Sequence, residues 1–163
     1  MRAMSGCPAK RRREAGDTTP REIDPDRPSD EELARILTTA RTIAVVGMSD
    51  TEGKAARSIP RILIEHGWDV IPVNPTRASI AGLTSYPTLA DVPRPIDLVN
   101  VFRPGEQTPD VVREAADIGA AAVWLQAGIR SEAARAIADA AGMTYVQNAC
   151  SGALARRLDL RPA

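Results

Sequence analysis

Five short apolar runs punctuate this chain, at 43–46, 70–73, 98–101, 122–125 and 143–146, with room between them for helices or crossovers. The first, Ile43-Ala44-Val45-Val46, is apolar at successive positions, the pattern of a strand buried on both faces of a parallel sheet. Helical spacing fills the gaps. Ser29 before Asp30, Glu31 and Glu32 predicts a capped helix start, with Leu33, Ile36 and Leu37 on one face to about residue 40. A second helix is expected from about Ser58 to His66, closed by Gly67, with Pro60 tolerated only near its start. Residues 81–83 and 86–87 mark a turn and a short edge strand, and 88–91 a helical turn. Val111, Val112, Ala115 and Ile118 predict a helix over about 108–118, and an Ala-rich helix is expected over 131–141. Parallel strands require right-handed crossovers, which puts helices on both faces. The expected fold is of the α/β class: one domain with a Rossmann-like, doubly wound parallel sheet of about five strands.

Each of the first four runs is followed within a few residues by Gly, Ser, Asn-Pro, Arg or Gln. In open α/β sheets ligands bind in the crevice outside the carboxyl ends of the strands. Composition narrows what that crevice receives. Lys+Arg and Asp+Glu both number 21, so no global field draws the chain onto nucleic acid or an anionic membrane. Aromatic residues are 3% of the chain, too few for a single-strand stacking platform. No apolar run approaches the ~20 residues of a bilayer span. Residues 1–28 are rich in Arg, Pro, Asp and Gly, and read as a disordered tail ahead of a domain over 29–163. The basic cluster at 10–13 reads as solvated charge, and with no apolar segment after it this is not a secretory signal. Cys7 and Cys150 make no disulfide framework. A soluble, reducing, cytoplasmic setting is expected, with no membrane or specific nucleic-acid partner.

The loop after the first run lacks the dinucleotide fingerprint. Gly47 is followed by Met48 and Ser49, so the second glycine of G-x-G-x-x-G is missing. An NAD site also wants an acidic residue at the end of the second strand, where this chain has Val73-Asn74-Pro75 with Arg77 beyond. Walker A spacing fails too, because Gly53-Lys54 is followed by Ala55. Lys54 reads either as a solvated loop charge or as a phosphate contact on a strand-to-helix loop.

Gly47-Met48-Ser49, Val73-Asn74-Pro75, Val101-Phe102-Arg103, the run Trp124-Leu125-Gln126-Ala127-Gly128, and Cys150 together resemble the stand-alone CoA-binding domain proteins. These are similar to the nucleotide-binding domain of the succinyl-CoA synthetase alpha subunit. The resemblance spans roughly residues 30–160. It implies that Ser49, Asp50 and Thr51 lie on the loop that wraps the nucleotide end of CoA. Asn74, Pro75 and Arg77 would come next, with a basic group for a CoA phosphate. Phe102 and Arg103 would flank the adenine or the pantetheine arm, and Leu125, Gln126, Ala127 and Gly128 would lie beside the thiol-bearing end. Cys150 falls on the Asn-Cys-Pro-Gly turn of the synthetase domain, which here reads Ala149-Cys150-Ser151-Gly152. Three departures stand out: Ala55-Ala56 for a Pro-Ser pair, Pro60 for a helix former, and 151–154 for a charged, His-containing stretch.

Reactive chemistry is sparse. His66 is the only histidine and is expected to cap a helix. No Ser-His-Asp arrangement, metal-ligand cluster or catalytic carboxylate pair is visible. The synthetase's phosphohistidine belongs to a further domain, so the resemblance implies binding without a ligase reaction. Trp124 reads as core. Cys150 is either a small half-buried filler or, in a turn at a sheet edge over 148–152, a thiol activated by nearby N–H groups and able to exchange with the CoA thiol. The expectation is a protein that binds coenzyme A or an acyl-CoA, with no metal and more a binder than an enzyme. The alternatives are an NAD(P)-binding redox sensor or oxidoreductase, and an interaction module with a vestigial pocket.

Overall fold

The computed structural model of the chain describes residues 28–163. The expected tail over 1–28, with Cys7 and the cluster at 10–13, lies outside the described residues apart from Pro28.

Helix α1 (Asp30–Thr39) opens with the expected capping box: the Ser29 hydroxyl accepts from the Glu32 N–H, and the Glu32 carboxylate accepts from the Ser29 N–H. Strand β1 (Thr42–Val46), helix α2 (Ala55–Glu65) and strand β2 (Asp69–Val73) follow. A small hairpin, β3 (Ser79–Ile80) and β4 (Leu83–Thr84), precedes β5 (Leu98–Val101). The chain continues through α3 (Thr108–Asp117), β6 (Ala122–Leu125), α4 (Glu132–Ala140), β7 (Thr144–Val146) and α5 (Ser151–Arg157). Five strands form one parallel sheet in the order β2-β1-β5-β6-β7. It is a single α/β domain with a Rossmann-like layout.

Both faces are buried, which explains why the runs are apolar throughout. Ile43, Val45, Val70, Leu98 and Trp124 meet Leu33, Leu37, Leu63 and Leu154 of α1, α2 and α5. Ala44, Val46, Ile71, Val99 and Val123 meet Val111, Val112, Ala115, Ala134 and Ala138 of α3 and α4. Ala134 and Ala138 of α4 are completely buried in this cluster. Trp124 is fully buried, and its indole N–H donates to the Ala149 carbonyl at 2.8 Å.

The short edge strand expected at 86–87 is instead a single parallel bridge from Tyr86 to Val73, and two larger elements also differ from expectation. Helix α2 begins at Ala55, three residues before Ser58, so Pro60 sits in its interior rather than near its start. A proline there removes one i→i−4 bond and its ring pushes against the carbonyl four residues back, a cost of about 3 kcal/mol. Here the Ala56 carbonyl accepts instead from the Ser49 N–H at 3.1 Å. The second difference lies at 148–152. Residues from Ser151 onward are the helix α5, not a turn, and Cys150 is its N-cap, with Sγ accepting from the Ala153 N–H at 3.4 Å. Glycine is a poor helix former, but at 152 it is the close-packing residue: a Cβ there would come within 3.0 Å of Ile59 on α2.

The chain runs from β1 outward to β2, then returns across β1 to β5, so the order of strands reverses between β1 and β5. That reversal opens the crevice. Gly47 closes β1 there with φ +87°, its N–H donating to the Val73 carbonyl of β2 at 3.0 Å. On its other side a Cβ would lie 2.6 Å from the Phe102 carbonyl oxygen. Gly47→Ala therefore combines a left-handed alanine with a backbone clash. It should lower stability by about 2 kcal/mol or more, read as a drop in urea midpoint at unchanged m-value; a midpoint equal to the parent's would refute the tight approach.

Candidate functional site

The crevice is built from loops whose backbones are fixed by their own polar groups. Met48 is fully buried, its side chain in the core. Its carbonyl accepts from Asn74 Nδ2 at 3.0 Å. The other end of the same amide, Asn74 Oδ1, accepts from the Thr76 N–H at 2.9 Å and its hydroxyl at 2.8 Å. This Asx turn shapes the stretch that carries Pro75 and Arg77. One side chain thus sets both the loop after β1 and the loop after β2.

Beyond Met48, Ser49 Oγ accepts from the Thr51 N–H at 3.0 Å. Asp50 reaches sideways to the hairpin, accepting from the Ala81 N–H at 3.1 Å, with Arg61 of α2 at 3.8 Å. Arg57 pairs with Glu52 at 3.5 Å. Lys54 stands exposed at the N-cap position of α2, whose first turn carries no acid. Phe102 and Arg103 follow β5, both half-buried. Arg103 Nε lies over Gly47, 3.4 Å from where a Cβ would be. Lys54, Arg77 and Arg103 form no ion pair among the described residues. Three cations on the loops after three neighbouring strands, without a counter-charge among the described residues, are a setting for an anionic ligand.

The far wall comes from the loops after β6 and β7. Leu125 is fully buried, so its side chain belongs to the core. Ala127 and Gly128 are exposed, and Gly128 donates to Asn148 Oδ1 at 2.8 Å. The Asn148 N–H donates to the Ile129 carbonyl at 3.1 Å, and the Ala149 N–H to that of Leu125 at 3.4 Å. The turn bearing Cys150 therefore does neighbour the 126–128 loop. Gln126 is almost fully buried and belongs to a polar cluster that sequence reading missed. Its Nε2 donates to Ser151 Oγ at 2.9 Å and to Asn100 Oδ1. Its Oε1 accepts from the Ser151 N–H at 3.3 Å, while Asn100 Nδ2 donates to Ser151 Oγ at 3.2 Å. Asn100 and Ser151 are completely buried. The signal was present as the single polar residue inside the run 98–101, at a strand position otherwise filled by Val and Leu.

Gly47, Met48, Ser49, Asp50, Thr51 and Lys54 thus lie after β1, Asn74, Pro75 and Arg77 after β2, and Phe102 and Arg103 after β5. Leu125, Gln126, Ala127, Gly128 and Cys150 lie toward β6 and β7. His66 is at the other end of the sheet, where its Nδ1 lies 2.9 Å from the Leu160 carbonyl, so no histidine stands beside Cys150. Two clefts, of about 480 and 290 Å³, also open at that end, among Arg41, Gly67 and Asp69 and around Asp97 and Thr144; none of the crevice residues lines them.

Among the described residues, Tyr145 and Arg94 have shifted pKa values, and neither belongs to the loops of the crevice. Burial pushes the Tyr145 phenol up to about 12, against the opposing pull of Arg135, and its hydroxyl bonds Ser131 O and Gln147 Oε1 on the β7 edge. The side-chain hydrogen bond to Asp69 raises Arg94 above its ordinary value. Among the described residues no group of three or more His, Cys, Asp or Glu is placed to hold a metal ion, and no helix is long and apolar enough to cross a membrane.

Comparison with known proteins matches residues 41–156 to the CoA binding domain family. The uncharacterized protein YneT of Bacillus subtilis is 35% identical over 123 residues, covering 76% of this chain and 91% of YneT. Acetate–CoA ligase [ADP-forming] II of Archaeoglobus fulgidus is 33% identical over 101 residues, 60% of this chain but only 15% of the ligase. A hypothetical protein from Pyrococcus horikoshii OT3 superposes with a TM-score of 0.78 at 36% identity, over 82% of this chain and 94% of that one. With the family match spanning most of the described domain, and YneT matched along nearly its whole length, the chain belongs to the CoA-binding domain family.

Proposed function

We propose that the crevice at the β1/β5 reversal binds coenzyme A or an acyl-CoA, holding its phosphates on Lys54, Arg77 and Arg103, without catalysis of its own. The observation that carries this reading is the set of three cations on adjacent loops with no ion-pair partner among the described residues. A ligand with several phosphates supplies the missing counter-charge, and charge-assisted bonds to phosphate are the strong ones. The ligase relatives are named for reactions of CoA. Making or breaking a thioester needs an acid–base or nucleophilic group within reach of the acyl carbon. At this crevice that leaves Cys150, which lacks a histidine neighbour.

The same placement gives Cys150 a simpler chemistry. Its turn borders the 126–128 loop, where the resemblance puts the thiol-bearing end of CoA. With CoA disulfide, the Cys150 thiolate attacks one sulfur and the S–S bond of the disulfide breaks. A mixed disulfide remains on the protein and one CoA leaves as thiolate, to be protonated by solvent; excess thiol reverses the step.

Calorimetry should show CoA binding more tightly than dephospho-CoA, with Arg77→Ala and Arg103→Ala each weakening CoA by about tenfold or more. Equal affinity for the two ligands would remove the 3′-phosphate from these arginines. A thermal shift with NADH alone among NADH, NADPH, CoA and acetyl-CoA would replace the reading by a nicotinamide site, and no shift with any would leave a vestigial pocket.

Intact-mass measurement after treatment with CoA disulfide should show one adduct that is lost in Cys150→Ser and kept in Cys7→Ser. Modification of Cys7 alone would reduce Cys150 to a packing and capping role.

A further inference from the structure

The interior proline of α2 and the loop after β1 meet at one carbonyl. In an uninterrupted helix the N–H of residue 60 would donate to the Ala56 carbonyl. Proline has no N–H, and its ring tilts that carbonyl away from the helix axis. The freed oxygen accepts from the Ser49 N–H at 3.1 Å. Ser49 in turn organises the remainder of the loop. Its hydroxyl accepts from the Thr51 N–H at 3.0 Å, and the Thr51 carbonyl accepts from the Lys54 N–H at 3.3 Å. On the other side, Met48 is held through its carbonyl by Asn74 at 3.0 Å. The loop is therefore pinned at two successive residues, to β2 by Met48 and to α2 by Ser49.

We infer that Pro60 is a positioning residue for the ligand loop. By withholding a donor from Ala56, it reserves that carbonyl for Ser49 and so fixes Ser49, Thr51 and Lys54 against the crevice. Pro60 is itself buried, so it acts only through the carbonyl four residues back. Any residue with an N–H at 60 would close the helical bond, draw the carbonyl back to the axis and leave Ser49 competing for it. The helix would gain and the loop would loosen. The effect on CoA rests on the proposed function; the effect on Ser49 does not.

The test uses the full chain with Pro60→Ala, and with Pro60→Val to keep more of the buried volume. Amide exchange followed by NMR in the free protein should show protection at Ser49 falling by about tenfold in both variants, with Tm unchanged or raised. CoA affinity should fall by roughly three- to tenfold. A proline that merely fills space would lower Tm and affinity together and leave Ser49 protected, and that result would overturn the inference. So would loss of protection with CoA affinity unchanged. If the parent chain binds no CoA, the proposed function fails, while exchange at Ser49 still decides whether Pro60 holds the loop.

Discussion

The carboxyl end of this sheet depends on how closely β1 approaches β5. Val46 and Val101 pair in register, and the next residues, Gly47 and Phe102, must pass with less room than a methyl group needs. That approach lets one N–H of Gly47 reach β2 while its α-carbon faces the carbonyl of β5. With a wider separation, Arg103 would not lie over Gly47. The open side chain at 47 is thus a requirement of the backbone there.

The floor on the β5/β6 side is made differently. A buried amide in a parallel strand is costly unless its donors and acceptors are met. Asn100, Gln126 and Ser151 meet one another's, across separations of 25 to 51 residues. The cluster also ties the N–H at the start of α5 to the end of β6. An apolar trio of similar volume would pack, but it would not fix the register of α5 against both strands. The short helix that Cys150 caps is held by polar geometry as much as by its apolar face.

The sheet was readable from the chain because burial on both faces leaves consecutive apolar residues, and capping signals such as Ser29 and Gly67 are local. What escaped was non-local. A local rule puts Pro60 near a helix start, and that rule does not see Ser49, seven residues before Ala56, whose N–H takes the carbonyl that the proline frees. The turn expected at 148–152 follows from the likeness to an Asn-Cys-Pro-Gly turn, whereas here Cys150 caps α5 and Gly152 lets that helix meet Ile59. The positions of the loops after the strands follow from the runs themselves; that Met48 and Leu125 point into the core, and that Gln126 is consumed by a buried cluster, does not.

The Asn74 amide has a consequence in chemical durability. Asparagine ages when the backbone nitrogen of the following residue attacks its side-chain carbonyl, forming a cyclic imide that opens to aspartate or isoaspartate. Such a change at 74 would replace the donor that holds Met48 with a second acceptor, and would break the joint between the two loops. The following residue is Pro75, whose nitrogen carries no hydrogen and cannot complete that cyclisation. Pro75, two residues past β2, therefore shields the amide on which both loops hang from spontaneous deamidation through that imide.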